Sequence, residues 1–130
     1  MNIEYFADGC PECPLILIYG SNPSDALNLC LAIERVANGL VDRLAIHEFP
    51  GSVSVNNCQL FIHVGRSDRG IQRLGQAHTF ECTLRKETWL AMIGLIEPFT
   101  EADRKDSGSA FQYLNESSNI RLLISTDRTW

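Results

Sequence analysis

Cys10-Pro11-Glu12-Cys13-Pro14-Leu15-Ile16-Leu17-Ile18-Tyr19-Gly20 sets a Cys-x-x-Cys pair directly before an unbroken apolar run that a glycine stops. The conformation of the residues after the second cysteine decides both fold and chemistry. A helix starting at Pro14 would give the pair a thioredoxin-type setting, where N-terminal amides lower the thiol pKa. Leu15 to Tyr19 shows no amphipathic period, and its length and glycine stop predict a buried strand. Both alternating faces of that strand are apolar, which places it inside a sheet.

Working outward, Ile3 to Phe6 predicts a short strand ended by the turn dipeptide Asp8-Gly9. Downstream, Asn22 is a good N-cap, Pro23 suits the first helical position and Asp25 completes a capping box. Ala26, Cys30, Ile33, Val36, Ala37 and Leu40 then recur at helical spacing, with Leu27, Leu29 and Leu31 broadening the stripe until Gly39 ends it. Leu44–Phe49 and Cys58–Val64 read as strands, joined by a segment that suits an antiparallel connection. Arg66-Ser67-Asp68-Arg69-Gly70 reads as a hairpin turn into a strand at Ile71–Leu74, and His78 to Leu84 alternates as a further strand. A second helix runs from Lys86, with Trp89, Met92, Ile93 and Ile96 on one face, until Pro98 ends it. Thr100 to Ala110 predicts a loop, and Phe111–Leu114 with Ile120–Thr126 a closing hairpin.

These elements predict one α+β domain over residues 1–130. Its expected architecture is a two-layer sandwich, a mainly antiparallel sheet of about five to seven strands with two helices on one face. A chain of 130 residues can bury a substantial core. The 45% hydrophobic and 21% charged fractions are those of a globular chain. A net charge of −5 argues against nucleic acid as partner, because phosphate backbones require clustered Lys and Arg. Met1 to Tyr5 lacks the pattern of a secretory signal, and no apolar run approaches the ~18 residues of a membrane span. A cytoplasmic location is therefore expected, with no membrane partner. The five cysteines are odd in number and unevenly spaced, so most are expected as free thiols.

Three chemistries are open to Cys10 and Cys13: ordinary loop or strand-edge cysteines, a disulfide or redox pair, or half of a metal site. Zinc, the one cofactor alternative, wants four ligands, and Cys58, Cys82, His47, His63 or His78 would have to converge on the pair. The histidines on neighbouring predicted strands suggest a small hydrolase or transferase, but alternation sets Glu48 opposite His47. Gly20-Ser21-Asn22-Pro23 is a strand-to-helix link better read as a plain cap than as an anion site. Arg66, Arg69 and Arg73 around the turn are open to an acidic partner or to solvent.

Two helices on one sheet face leave the other to be explained. Phe49, Phe61, His47 and His63 are candidates for an open, partly apolar face that binds a partner protein or a second copy of the chain. The alternative is that loops and Trp130 cover it. A non-enzymatic binding or regulatory module is thus the leading expectation. A thiol or zinc protein built on Cys10 and Cys13 is the rival.

Overall fold

Asn2–Phe6 (β1) and Leu15–Tyr19 (β2) form an antiparallel pair, and β2 lies in the middle of its sheet, as its two apolar faces require. The computed structural model describes residues 1–20, 22–75, 77–101 and 110–130. The expected Thr100–Ala110 loop lies mostly outside that set.

Pro23–Ala37 (α1) begins at the predicted cap. Asn22 Oδ1 accepts the Asp25 N–H at 2.7 Å, and the Asp25 carboxylate accepts the Asn22 N–H at 3.4 Å. Gly39, at φ +74°, takes the left-handed conformation that closes the helix. The cap contributes about 1 kcal/mol. The face of Ala26, Leu29, Cys30, Ile33 and Val36, buried against the core, contributes several times that. The predicted stripe is too wide. Leu27, Leu31 and Leu40 are half or more exposed, because they fall outside the arc the core covers.

Leu44–Ala45 (β3) is a two-residue strand. The expected strand to Phe49 is replaced by a 3-10 turn at Ile46–Glu48. Ile46 is buried in the core, and the His47 ring takes over a backbone donor of the next strand, which bends the chain away. Val53–Ser54 (β4), a strand with no signal in the sequence, adds in parallel to β1. Gln59–Val64 (β5), Gly70–Arg73 (β6), Thr79–Leu84 (β7) and Lys86–Ile96 (α2) come next, then Phe111–Asn115 (β8) and Arg121–Ser125 (β9).

Among the described residues the chain is α+β, with two helices and nine strands in two mixed sheets, ordered β4-β1-β2-β9-β8 and β3-β5-β7-β6. The expected single sheet is corrected to two, and the expected antiparallel character holds in part: four pairings are antiparallel, whereas β1–β4, β2–β9 and β5–β7 pair in parallel. The turn at 66–70 does not return the chain beside β5. Asp68 accepts the Arg85 N–H at 2.9 Å and the Thr88 hydroxyl at 2.8 Å. That tie carries the chain past the end of β7, so β6 pairs on β7's far side.

Both helices pack against each other and share one core with an inner face of each sheet. Ile3, Ile16, Ile18, Leu122 and Ile124 come from the first sheet, and Leu60, Ile62, Phe80 and Cys82 from the second. Each sheet keeps an outer face, and candidate sites lie on both of these faces and in a groove beside α1. Among the described residues no helix is long and apolar enough to cross a membrane.

Candidate functional sites

The Cys-x-x-Cys segment is a tight turn in which Cys13 N–H donates to the Cys10 carbonyl at 3.2 Å. Cys10 and Cys13 are joined as a disulfide, with Cα atoms 5.4 Å apart. The expectation of mostly free thiols holds, with Cys30, Cys58 and Cys82 free and all buried, and for Cys10 and Cys13 the disulfide is the alternative observed. Burial pushes the Cys58 thiol up to about 12, with Glu4 adding to it, and raises Cys82 further. No group of three or more His, Cys, Asp or Glu among the described residues is arranged to hold a metal ion. With each sulfur bonded to the other, neither is a thiolate ligand for zinc.

The disulfide rests on the outer face of the first sheet, against Leu15, Leu17 and Leu123. The segment after β9 folds back over the same face. Trp130 meets the Phe6 ring edge-on at 5.0 Å, and Arg128 Nε and Nη2 each donate to a Glu4 carboxylate oxygen at 3.0 Å. The anticipated cover by Trp130 is real, but over the first sheet. Arg121 Nη1 donates to the Glu12 carbonyl at 2.6 Å and fixes the turn to β9. Between turn and strap lies a cleft of about 380 Å³ lined by Cys10, Pro11, Glu12, Arg128, Thr129 and Trp130.

Glu4 is 5% exposed, and the Tyr19 hydroxyl donates to it at 2.9 Å. The hydrogen bonds from Arg128 hold its carboxyl below the usual carboxylate range, outweighing burial, which pushes the other way. A depressed folded-state pKa adds stability that is present above the ordinary carboxylate pKa and lost as pH falls through the folded value. Glu4→Gln is therefore expected to cost about 2 kcal/mol at pH 7, the scale of a charge-assisted hydrogen bond. The difference from the parent should shrink as pH drops below about 4. Urea unfolding from pH 7 down to 3 measures it; a difference independent of pH would rule out the buried carboxylate as its source.

The outer face of the second sheet brings Phe61 and His63 together. His63 Nε2 lies 2.7 Å from Glu81 Oε1 and 2.5 Å from Thr83 Oγ1. Both partners meet the same ring nitrogen, whereas a nucleophile, base and orienting acid must engage the two nitrogens separately. The cluster is therefore not arranged as a hydrolase relay. His47 sits beside this face, its Nδ1 accepting the Leu60 N–H at 3.0 Å and its ring edge-on to Phe61 at 5.0 Å. The Arg43 guanidinium stacks 3.7 Å from the Phe61 ring centre. His78 is apart, with Nδ1 3.1 Å from the Asn56 carbonyl.

Phe49 does not join them. It packs against the main core and lines a groove of about 440 Å³ between α1 and residues 44–50. Leu31, Ala32, Arg35, Leu44 and Pro50 line it too, and Leu27 is exposed one turn before Leu31 on α1. The Arg35 guanidinium has no hydrogen-bond or ion-pair partner among the described residues. The sequence does not point to Arg35, because the leucines at 27 and 31 read as part of the buried stripe. Nor does it point to Glu4 and Arg128, which carry no local signal of their pairing. No known protein family matches the chain, and neither does any characterised protein or solved structure.

Proposed function

We propose that this chain is a binding module that captures a segment of another protein in the groove beside α1. The reading rests on Leu31, 50% exposed and lining a 440 Å³ groove with Leu44 and Phe49, and on Leu27, 51% exposed one helical turn before it on α1. Exposed leucines next to an apolar concavity are the usual form of a docking surface. Arg35 continues the ridge by one more turn, and its guanidinium, without a partner among the described residues, selects the occupant: a segment with apolar anchors followed by a carboxylate. Such a partner is protein, in keeping with the net charge of −5.

Panning a random peptide library against the protein should enrich sequences with two apolar anchors and a nearby acid. Leu31→Arg changes an exposed position and leaves the core intact, so it is expected to weaken the enriched peptides at least tenfold with an unchanged circular dichroism spectrum. Equal binding to the variant would overturn the site, as would an absence of any consensus. A parent protein that sediments as a dimer and a variant that sediments as a monomer would make the occupant a second copy, not a partner.

A further inference from the structure

The five cysteines fall into two classes. Three are buried single thiols, two of them with burial driving the thiolate out of reach. The other two form a surface disulfide that closes a four-residue turn. A cross-link stabilises mainly by removing freedom from the unfolded chain, and that effect is smallest for the shortest loops. The neighbouring strand has no need of it either: β2 is hydrogen-bonded along its length to β1 on one side and β9 on the other. A bond that does little as a staple, on a surface turn, is of the kind that exchanges.

We infer that Cys10 and Cys13 are a thiol–disulfide exchange site, and that the adjoining cleft admits a small carboxylate-bearing peptide thiol. The cleft supplies the recognition. Trp130 offers a flat apolar wall, and the Pro11-Glu12 peptide, fixed by Arg121, offers a backbone edge. Arg128 spends Nε and Nη2 on Glu4, and Nη1, which makes no hydrogen bond among the described residues, is the donor for a ligand carboxylate. The volume of about 380 Å³ suits a molecule of tripeptide size.

In the reducing direction the substrate thiolate attacks one disulfide sulfur. The Cys10–Cys13 bond breaks as the new sulfur–sulfur bond forms, and the departing cysteine thiolate takes a proton from water. A second substrate thiolate attacks the substrate sulfur of this mixed disulfide and releases the second cysteine, which is protonated in turn. Two substrate thiols thereby become one substrate disulfide, and the protein gains two electrons and two protons as a dithiol. The reverse sequence oxidises the pair.

Glutathione is the probe. The folded full chain, incubated at pH 7 in graded mixtures of glutathione and its disulfide, is quenched in acid and mapped by mass spectrometry. A glutathione adduct and a dithiol are expected at Cys10 and Cys13 only, with Cys30, Cys58 and Cys82 unmodified. The emission of Trp130, quenched by the neighbouring disulfide, should rise as the pair is reduced, against a constant background from buried Trp89. Glutathione should react at least five times faster than its diethyl ester, against the trend that the protein's negative charge sets for an anion. Arg128→Gln should bring the two rates together. Comparison of glutathione with its ester on the parent protein needs no variant. A pair that stays oxidised until the protein unfolds would overturn the inference, and so would an ester that reacts as fast as glutathione.

Discussion

Trp89→Ala is expected to lower the unfolding free energy by about 4 kcal/mol, in the upper part of the range for removing a buried aromatic. Trp89 is 1% exposed and sits on the inward face of α2, in the core shared by both sheets. Its indole N–H donates to the His63 carbonyl at 3.0 Å, so the substitution both opens a void and strips an acceptor on β5 of its partner. Trp89→Phe separates the two losses. It keeps most of the apolar contact and should cost about 1–2 kcal/mol, the scale of one hydrogen bond with a modest packing defect. Guanidinium unfolding followed by circular dichroism measures both. Near-equal losses for the two variants would mean that the hydrogen bond, not the packing, dominates at this position.

Gly70→Ala is expected to cost about 3 kcal/mol, the sum of a left-handed backbone penalty and an overpacking penalty. Gly70 has φ +73°, and a Cβ there would lie 2.7 Å from the Ser118 backbone nitrogen. Ser118 cannot retreat freely. Its hydroxyl donates to the Ile71 carbonyl at 2.9 Å and accepts the Ile120 N–H at 3.2 Å. This contact joins the edge of the second sheet to the β8–β9 turn of the first, so an added methyl pries the sheets apart. Gly75 is the internal control: its φ is +72°, and nothing lies within 4 Å of the place an added methyl would take. Gly75→Ala should cost only the conformational part, about 1 kcal/mol. Equal losses at the two glycines, measured by urea unfolding, would show that the inter-sheet contact contributes nothing.

The local elements are legible residue by residue. The Asn22 cap, the Gly39 stop and the spacing of Ala26, Ile33 and Val36 predict α1 almost to its ends. The apolar run at Leu15–Tyr19 predicts a central strand, and the predicted closing hairpin forms as Phe111–Asn115 paired with Arg121–Ser125. Each of these signals acts over a few residues, where one periodicity or one cap outweighs its competitors.

The candidate sites are much less legible. Of the four residues expected at one interface only Phe49 is apart, because the 3-10 turn at Ile46–Glu48 directs it toward α1 and leaves His47 beside Phe61. Glu4 alternates with apolar neighbours and reads as a solvent-facing strand residue. It is buried only because Arg128, 124 residues away, closes over it. The Cys10–Cys13 spacing is equally compatible with metal, free thiols or a disulfide. Selecting among them takes the position of the turn on the sheet face.

From the residues alone come the α+β class, the two helices with their ends, the central position of Leu15–Tyr19 and an acidic chain with a net charge of −5. Tertiary structure decides that the strands divide into two sheets, that β2 and β9 run in parallel across the chain, and that a C-terminal strap covers the disulfide face. The division has a physical cause. Caps and periodicities are local free-energy preferences written into neighbouring residues, whereas strand partners are chosen by burial between segments far apart in the chain, where many pairings satisfy the same local pattern.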